Sequence, residues 1–298
     1  MDPVSEKFLA LLWRGLSLPA GDGCPGVPLS DEEWRSVYLM SLKQAVCGIV
    51  WTAVEDLPEG FRPPEDVAAA WKRDVGIIGR DYDKVEKVVE MQRRAWTARG
   101  VDAVLLKGPE SAKMYPRPER RMSGDIDWWM PTDKDWTKAL ELVERNGLKW
   151  EKDSDGDIHY VLNGIVVEHH RRGLEVPGPV GELLLRCEHV LHHAMVTGVG
   201  LKQICDYLVA LRFYEGKYDR EEYDGELEKR GLLEWERRLA GLDPGLLELV
   251  LSDGNMGFGK KDRFGGFFHR LRYFLPVCPG LFFRRWSGLV FGHLAKKI

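Results

Sequence analysis

The sequence lacks three features that would assign a protein class at once. It contains no uninterrupted apolar run of about 18 residues, so no membrane-spanning helix is expected. Its five cysteines are odd in number and never spaced as CxxC, which argues against a disulfide framework or a structural zinc site. Its net charge is only −4 over 298 residues, so the chain as a whole carries no strong nucleic-acid signal.

The start of the sequence and the cysteine usage favour a cytoplasmic location. The opening residues MDPVSEKFLALLWRGLS begin acidic and hold only a short apolar segment, unlike the charged-then-apolar layout of a signal peptide. A composition of 44% hydrophobic and 30% charged residues is typical of a globular chain with a sizeable core. The length allows one large domain or two or three small ones.

The first 99 residues are predicted to form an N-terminal helical region. Apolar residues recur at three- and four-residue spacing over 5–13, 30–57 and 63–100, and Pro-Gly-rich breaks separate these three segments. Ser30 and Glu33 make a capping box that predicts the start of the second helix. Tryptophans on these segments are expected to pack in the helical core rather than to form a ligand cage: Trp13, Trp34, Trp51 and Trp71.

A mixed α/β core is predicted over residues 100–177. A short apolar strand at 101–106 precedes a helix that begins at Pro109, since proline suits the first helical position. Glycine at position 147 is predicted to end a second helix. The remaining elements of this core are a strand at 125–130, that helix at 132–147, and strands at 148–152, 157–163 and 165–171 joined by the turns DSDGD and NG.

Helical spacing returns over residues 178–252, which we expect to be a C-terminal helical region. The segment 253–298 differs in composition, because it is rich in Lys, Arg and aromatic residues. From Gly259 to the last residue it contains a single acid, Asp262. We expect this basic aromatic tail to pack on the core. A weak contact with an anionic membrane surface, a protein partner or nucleic acid stays open.

Two carboxylates, Asp125 and Asp127, stand one residue apart in the predicted strand at 125–130. Because side chains alternate along a strand, both should point to one side while Ile126 and Trp128 face the core. Their mutual repulsion is relieved by a divalent cation, and hard oxygen ligands suit Mg²⁺ or Mn²⁺ rather than zinc. With Glu168 from a later apolar strand, they describe a two-metal centre for phosphoryl transfer.

The segment LLKGPES, upstream of the acidic pair, has the features of a phosphate site. Gly108 lets a ligand approach the backbone, and the free N–H groups at a helix start bind anions. We expect a triphosphate to lie there, with Lys107, Arg120 and Arg121 neutralising its charge.

These motifs together carry a family resemblance. The stretch LLKGPESAKMYPRPERRMSGDIDWW, at 105–129, resembles the LKG…YP…R…DID signature of the uncharacterised bacterial nucleotidyltransferase family, within the DNA-polymerase-beta-like nucleotidyltransferase superfamily. VVEHH at 166–170 is similar to the later acid-x-His strand of that family, and LHHAMVTGVGLKQICDYLVAL at 191–211 is similar to its HH…GGLRQLCD segment.

The resemblance implies an α+β fold, with a small mixed sheet between the two helical regions, and a metal-dependent transfer of a nucleoside monophosphate from an NTP to an acceptor with release of pyrophosphate. It implies that Asp125, Asp127 and Glu168 bind Mg²⁺ or Mn²⁺ and that Glu168 helps to activate the acceptor hydroxyl. His170 and Asp206 would line the substrate pocket. The nucleotide would contact Lys107, Gly108, Ser111, Arg121 and Ser123.

One position departs from the superfamily pattern. Gly108 is followed by Pro109, where the superfamily has a second glycine or a serine, and proline has no N–H to donate. Either Ser111 or later amides take over that phosphate contact, or nucleotide binding is weak. The second option leaves a different function open, in which the chain is a catalytically inactive nucleotidyltransferase-like binding or scaffold protein. The acceptor and the preferred NTP stay open as well.

The histidines His189, His192 and His193 suggest a further alternative, a zinc hydrolase, because three- and four-residue helical spacing brings imidazoles together. No HExxH motif accompanies them. We therefore expect them to be packing residues of a helix.

The segment DSDGD lacks the glycine position and the closing glutamate of a calcium loop, so it is expected to be a hairpin turn.

Overall fold

A computed structural model of the chain describes residues 1–18, 29–153, 156–196, 198–252 and 272–278. The chain divides into two units. The N-terminal unit comprises residues 2–42 and 46–176, and the C-terminal unit comprises residue 1, residues 43–45 and the chain from residue 177 onward. The fold is α+β, which confirms the sequence prediction: helices flank a five-stranded mixed sheet in the described part of the chain.

Four helices open the N-terminal unit, and their tryptophans form the expected core. Trp71 is fully buried, and its ring centroid lies 6.5 Å from that of Trp34 and 5.6 Å from that of Trp51. A Ser30–Glu33 capping box starts the second helix, because each side chain bonds the backbone N–H of the other residue. The helices are α1 (Pro3–Gly15), α2 (Asp31–Lys43), α3 (Cys47–Glu55) and α4 (Glu65–Arg99).

The continuous helix predicted over 30–57 is wrong, because the chain breaks between α2 and α3. Ala45 adopts the left-handed conformation with φ 56°, which a regular helix does not tolerate. Gln44 explains the break: its Oε1 accepts from the Leu201 N–H at 2.9 Å and its Nε2 donates to the Val250 carbonyl at 3.1 Å. Both hydrogen bonds are buried, and they hold Gln44 at the point where the helix is interrupted.

The sheet contains five strands in the order β1-β2-β5-β4-β3. β2 and β5 are parallel neighbours, whereas the pairs β1–β2, β5–β4 and β4–β3 are antiparallel. The predicted strand at 101–106 is shorter than expected, with two residues paired. The strands are β1 (Val104–Leu105), β2 (Ile126–Trp129), β3 (Trp150–Lys152), β4 (Ile158–Leu162) and β5 (Ile165–His170), and two helices accompany them, α5 (Pro109–Lys113) and α6 (Asp133–Arg145).

One face of the sheet is covered by the C-terminal half of α4 and by α6. Ile126 and Trp128 of β2 and Val167 of β5 are buried there against Trp96 and Trp136. Because side chains alternate along a strand, the intervening residues of β2 and β5 project from the opposite face. The buried apolar residues of each strand thus determine the side of the sheet to which the alternating polar residues point.

The C-terminal unit is helical in the part that the structure describes. α7 packs against α8 and α9, and Trp235 is fully buried, with its Nε1 donating to the Cys187 carbonyl at 3.2 Å. The helices of this unit are α7 (Gly178–Val196), α8 (Leu201–Phe213), α9 (Arg220–Arg230), α10 (Leu233–Ala240) and α11 (Pro244–Leu251), and residues 272–277 are also helical.

None of the helices in the described ranges combines the length and the apolar character that crossing a bilayer requires. The basic aromatic tail predicted at 253–298 lies outside the described residues, apart from 272–278. The expectation of membrane or partner contact through that tail stays a prediction.

Candidate active site

Three polar side chains converge where β2 and β5 run side by side. The parallel register pairs Asp127 with Glu168 and Trp129 with His170. Asp127, Glu168 and His170 therefore share the sheet face opposite the core, and one ligand atom from each lies within 4.8 Å of the others. A search of the described residues for three or more acid, histidine or cysteine side chains that could share a metal ion finds this group.

Asp127 is the centre of this group, which we call the β2–β5 site, and it is fully buried. Its Oδ1 lies 2.8 Å from His170 Nε2 and 3.0 Å from Lys107 Nζ. Burial opposes the charge of Asp127, but the contacts with His170 and Lys107 outweigh it and hold the pKa of the carboxyl well below its usual range. The ionised form of Asp127 is therefore favoured.

The second oxygen of Asp127, Oδ2, is buried and has no hydrogen-bond partner among the described residues. Buried carboxylate oxygens are normally hydrogen-bonded or bound to a cation, because leaving them unpaired is costly. This orphaned oxygen fits a cation ligand. The donor set as a whole, two carboxylates and one imidazole, suits Mn²⁺ well and Mg²⁺ through its oxygens.

His170 is held between two carboxylates. Its Nδ1 donates to Asp157 Oδ2 at 2.8 Å, and its Nε2 contacts Asp127. Burial alone would lower the pKa of His170, but the hydrogen bonds to Asp127 and Asp157 prevail and raise it to about 9. The neighbouring His169 behaves in the opposite way, since burial in the core lowers its pKa to about 3.

Glu168 differs from Asp127 in its affinity for protons. Its side chain is 33% exposed, and its Oε2 lies 3.5 Å from His170 Nε2. Burial, together with the charges of Asp127 and Asp125, raises the pKa of Glu168. Two carboxylates whose environments move their pKa values in opposite directions can take different chemical roles, one as a fixed charge and one as a proton acceptor.

Asp125 lies one residue before β2, and its side chain is exposed. It is not part of the group formed by Asp127, Glu168 and His170. Its charge still reaches the β2–β5 site, because it contributes to raising the pKa of Lys107 and of Glu168. The structure thus brings Asp127 and Glu168 together with His170 and leaves Asp125 at the edge.

The expected phosphate segment forms a tight junction beside Asp125. Gly108 has φ 73° and precedes α5, and a Cβ at this position would lie 2.5 Å from the Asp125 carbonyl oxygen. Only glycine fits this combination of dihedral angle and close approach. α5 is five residues long and begins with Pro109, so its dipole and its free N–H groups are limited.

The remaining nucleotide-binding candidates occupy different environments. Ser111 is buried in α5, whereas Ser123 is half-buried and lines a cleft with Asp125. Arg121 is buried, with its guanidinium 5.9 Å from the ring centroid of Tyr115. Asp206 is half-buried on α8 of the C-terminal unit.

Sequence reasoning missed one participant, Asp157. Its Oδ2 accepts from His170, and its Oδ1 accepts from the Arg171 N–H at 2.8 Å. Asp157 ends the DSDGD segment between the paired strands β3 and β4, of which Ser154 and Asp155 lie outside the described residues. The signal in the sequence was the position of Asp157, an acid directly before the strand that precedes VVEHH.

The α7 histidines pack against one another. The ring centroids of His189 and His193 lie 4.3 Å apart, and those of His192 and His193 lie 5.9 Å apart. They are not part of a three-ligand metal group in the described chain. The geometry therefore favours packing residues over the zinc-hydrolase alternative.

Comparison with known proteins assigns the segment that carries this site. No curated protein and no solved structure is significantly similar to the chain. A family described as uncharacterised nucleotidyltransferase matches residues 30–176, and this match ends where the N-terminal unit ends. Residues 30–176 are therefore similar to the uncharacterised nucleotidyltransferase family, and this similarity supports a transferase.

Proposed function

We propose that the protein transfers a nucleoside monophosphate from an NTP to an acceptor hydroxyl, with release of pyrophosphate, at the β2–β5 site. The observation that carries this proposal is the orphaned Oδ2 of Asp127, a buried anionic oxygen beside Glu168 and His170. Asp127 and Glu168 would hold Mg²⁺ or Mn²⁺, joined by His170 once its Nε2 has lost its proton, with Asp125 adding negative charge at the edge. When bound, the divalent cation would neutralise charge on the phosphates.

Glu168 is the residue best suited to accept the acceptor's proton. Its raised pKa and partial exposure let it take up a proton, whereas Asp127 stays ionised. In the reaction, the acceptor O–H proton moves to a Glu168 oxygen, and the acceptor oxygen forms a bond with the α-phosphorus. The bond between that phosphorus and the β-phosphate oxygen breaks, and its electron pair leaves with pyrophosphate.

Lys107 would bind the phosphates. Its Nζ lies 3.0 Å from Asp127, its side chain is 20% exposed, and burial is outweighed by Asp127 and Asp125 so that its pKa is raised. A fixed cation at this position balances charge on the transferred phosphoryl group. Gly108 would let the phosphates approach the backbone, and we assign Ser111, Arg121 and Ser123 to the nucleotide. The role expected of Asp206 from the sequence stays a prediction.

A catalytically inactive scaffold protein is the second candidate, and two observations favour it. Pro109 removes an N–H from the start of α5, and that helix is only five residues long. Lys107 and His170 also already neutralise Asp127. Such a protein would keep the fold without binding metal or nucleotide. The cytoplasmic location expected from the sequence stays a prediction for either function.

Calorimetric titration separates the two candidates. The enzyme is expected to bind Mn²⁺, and in its presence an NTP, with both affinities lost in Asp127→Asn; a wild-type chain that binds neither is not an enzyme of this kind. Incubation with labelled NTPs and cell extract then tests transfer. We expect labelling of an acceptor by the wild type and none by Asp127→Ala, whereas equal labelling would refute the β2–β5 site.

A further inference from the structure

A second cleft in the N-terminal unit has no part in the proposed reaction. It lies between α3, α4 and the short 3₁₀ turn Pro118–Arg120, and its volume is about 520 Å³. Clefts of this size accommodate small organic molecules. We call it the α3–α4 cleft.

One wall of the α3–α4 cleft is unusually open. Gly76 and Gly79, three residues apart in the middle of α4, line it. A Cβ at Gly79 would meet no atom within 4 Å, and one at Gly76 would meet only the flexible end of Arg80 at 3.5 Å. Glycine weakens a helix, and here neither a turn nor close packing within the protein requires it. Their effect is to leave the helix backbone accessible from the cleft.

The rim of the cleft carries more cations than acids. Glu55 accepts from both Arg117 and Arg120, so its charge is already matched. Lys72 and Arg62 have no carboxylate partner in the described part of the chain; Lys72 Nζ lies 5.9 Å from the Trp51 ring centroid, and Arg62 Nε donates to a backbone carbonyl. Two cationic side chains therefore face the cleft uncompensated.

The buried part of the cleft adds a further unsatisfied donor. Arg120 Nε is buried and makes no hydrogen bond among the described residues, although it lies 3.9 Å from Glu119 Oε1, within ion-pair range. Trp51 and Val75 provide apolar surface in the same cleft. An apolar wall, a cationic rim and an unused buried donor together suit a ligand that is apolar at one end and anionic at the other.

We propose that the α3–α4 cleft binds an organic phosphate, with its apolar body against Trp51, Val75 and the glycine wall and its phosphate between Lys72 and Arg62. A phosphate dianion matches the two uncompensated cations better than a single carboxylate does. This site is separate from the β2–β5 site and uses neither its metal ligands nor Lys107.

The test uses the full chain in EDTA, which removes divalent cations from the β2–β5 site. The probes are 1-naphthyl phosphate, AMP and inorganic phosphate, with 1-naphthol as the uncharged comparison, and binding is followed by calorimetry. We expect saturable binding of 1-naphthyl phosphate that is at least about tenfold tighter than that of inorganic phosphate or 1-naphthol. Comparable binding of AMP would indicate a nucleotide as the source of the phosphate, and its absence an apolar phosphate ester.

Two variants locate the binding. Gly79→Leu adds a side chain whose Cβ would meet no protein atom within 4 Å, and it improves helix propensity. Its melting temperature should therefore equal or exceed that of the wild type while affinity falls at least about tenfold. Lys72→Glu should cause a similar loss. The matched controls are Gly225→Leu, at a helical glycine of α9 with equally open surroundings, and Arg73→Glu, an exposed neighbour that does not line the cleft.

Both controls should keep wild-type affinity. The proposal is overturned if the wild type shows no saturable binding of 1-naphthyl phosphate, if Gly79→Leu and Lys72→Glu bind it as tightly as the wild type, or if inorganic phosphate binds equally well. Loss of binding in both cleft variants with intact controls supports it, whatever the outcome of the nucleotide-transfer experiments.

Discussion

His170 Nε2 lies 2.8 Å from Asp127 Oδ1, although the two residues are 43 positions apart in the chain. The parallel register of β2 and β5 creates this contact, because it pairs Asp127 with Glu168 and brings the next residue on the same face, His170, beside them. One oxygen of Asp127 is thereby satisfied and the other is left without a partner. Two contacts at Oδ1 thus orient the Asp127 carboxylate, and Oδ2 remains available to a ligand.

Asp127 also holds the positive charges around it, so its removal should destabilise the fold. We expect Asp127→Asn to lower the free energy of unfolding by about 3 kcal/mol, because Lys107 and His170 lose their common buried partner. Urea unfolding followed by tryptophan fluorescence measures the loss.

The double variant Asp127→Asn/Lys107→Met serves as the control for that interpretation. Methionine has a similar length and no charge, so it should recover part of the stability that Asp127→Asn loses. A double variant whose loss equals the sum of the two single losses would contradict a coupled ion pair.

Glu168 should matter for turnover rather than for folding. Glu168→Gln preserves the shape of a side chain that is 33% exposed but cannot accept a proton, so we expect the initial labelling rate to fall by about 100-fold or more with an unchanged melting temperature. The matched control is Glu151→Gln on β3, whose side chain is 86% exposed. A Glu168→Gln enzyme as fast as the Glu151→Gln enzyme would rule out Glu168 as the base.

The strands of the site could be predicted from the sequence because burial and polarity alternate in them. Ile126 and Trp128 identify the core face of β2, and the acid embedded in VVEHH identifies β5, so Asp127 and Glu168 follow from local pattern alone. Asp125 shows the limit of this reasoning. The strand begins one residue later than predicted, so Asp125 lies before it and is exposed, outside the group formed by Asp127, Glu168 and His170.

Contacts that depend on the order of strands in the sheet could not be predicted from local pattern. His170 and Asp157 meet because β4 lies next to β5, which is a property of the tertiary fold. The break between α2 and α3 has the same origin, since Gln44 leaves the helix to bond groups more than 150 positions away. No glycine or proline marks residues 44–46, so helix spacing alone predicted a continuous helix there.

Gly108 lies where the predicted phosphate-binding segment meets the Asp125 backbone. A side chain at position 108 should therefore disturb both segments. We expect Gly108→Ala to destabilise the protein by about 2 kcal/mol, because alanine disfavours φ 73° and its Cβ would lie 2.5 Å from the Asp125 carbonyl oxygen. The shift of the Asp125 segment should also weaken nucleotide binding.

Gly225→Ala is the comparison for Gly108→Ala. Gly225 lies inside α9 with no atom within 4 Å of an added Cβ, so this exchange should raise stability by up to about 1 kcal/mol. Thermal unfolding of both variants measures the difference. Equal stability of the two would show that Gly108 is not under conformational constraint.

Gln92 should support the sheet from beneath the site. From α4, its Oε1 accepts from Trp128 Nε1 at 3.0 Å and its Nε2 donates to the Tyr160 hydroxyl at 2.9 Å, so it connects the helix to β2 and β4. We expect Gln92→Leu to lower the free energy of unfolding by about 2 kcal/mol, because it leaves the buried indole N–H without an acceptor.

A second exchange that removes the unpaired indole N–H of Trp128 tests why Gln92→Leu loses stability. In Gln92→Leu, the further exchange Trp128→Phe deletes the indole N–H, so the double variant should lose less stability than the sum of the two single variants. Chemical denaturation of the four proteins gives this coupling energy directly. A coupling energy near zero would mean that Gln92 contributes through packing alone and that its hydrogen bonds do not fix the position of β2 behind Asp127.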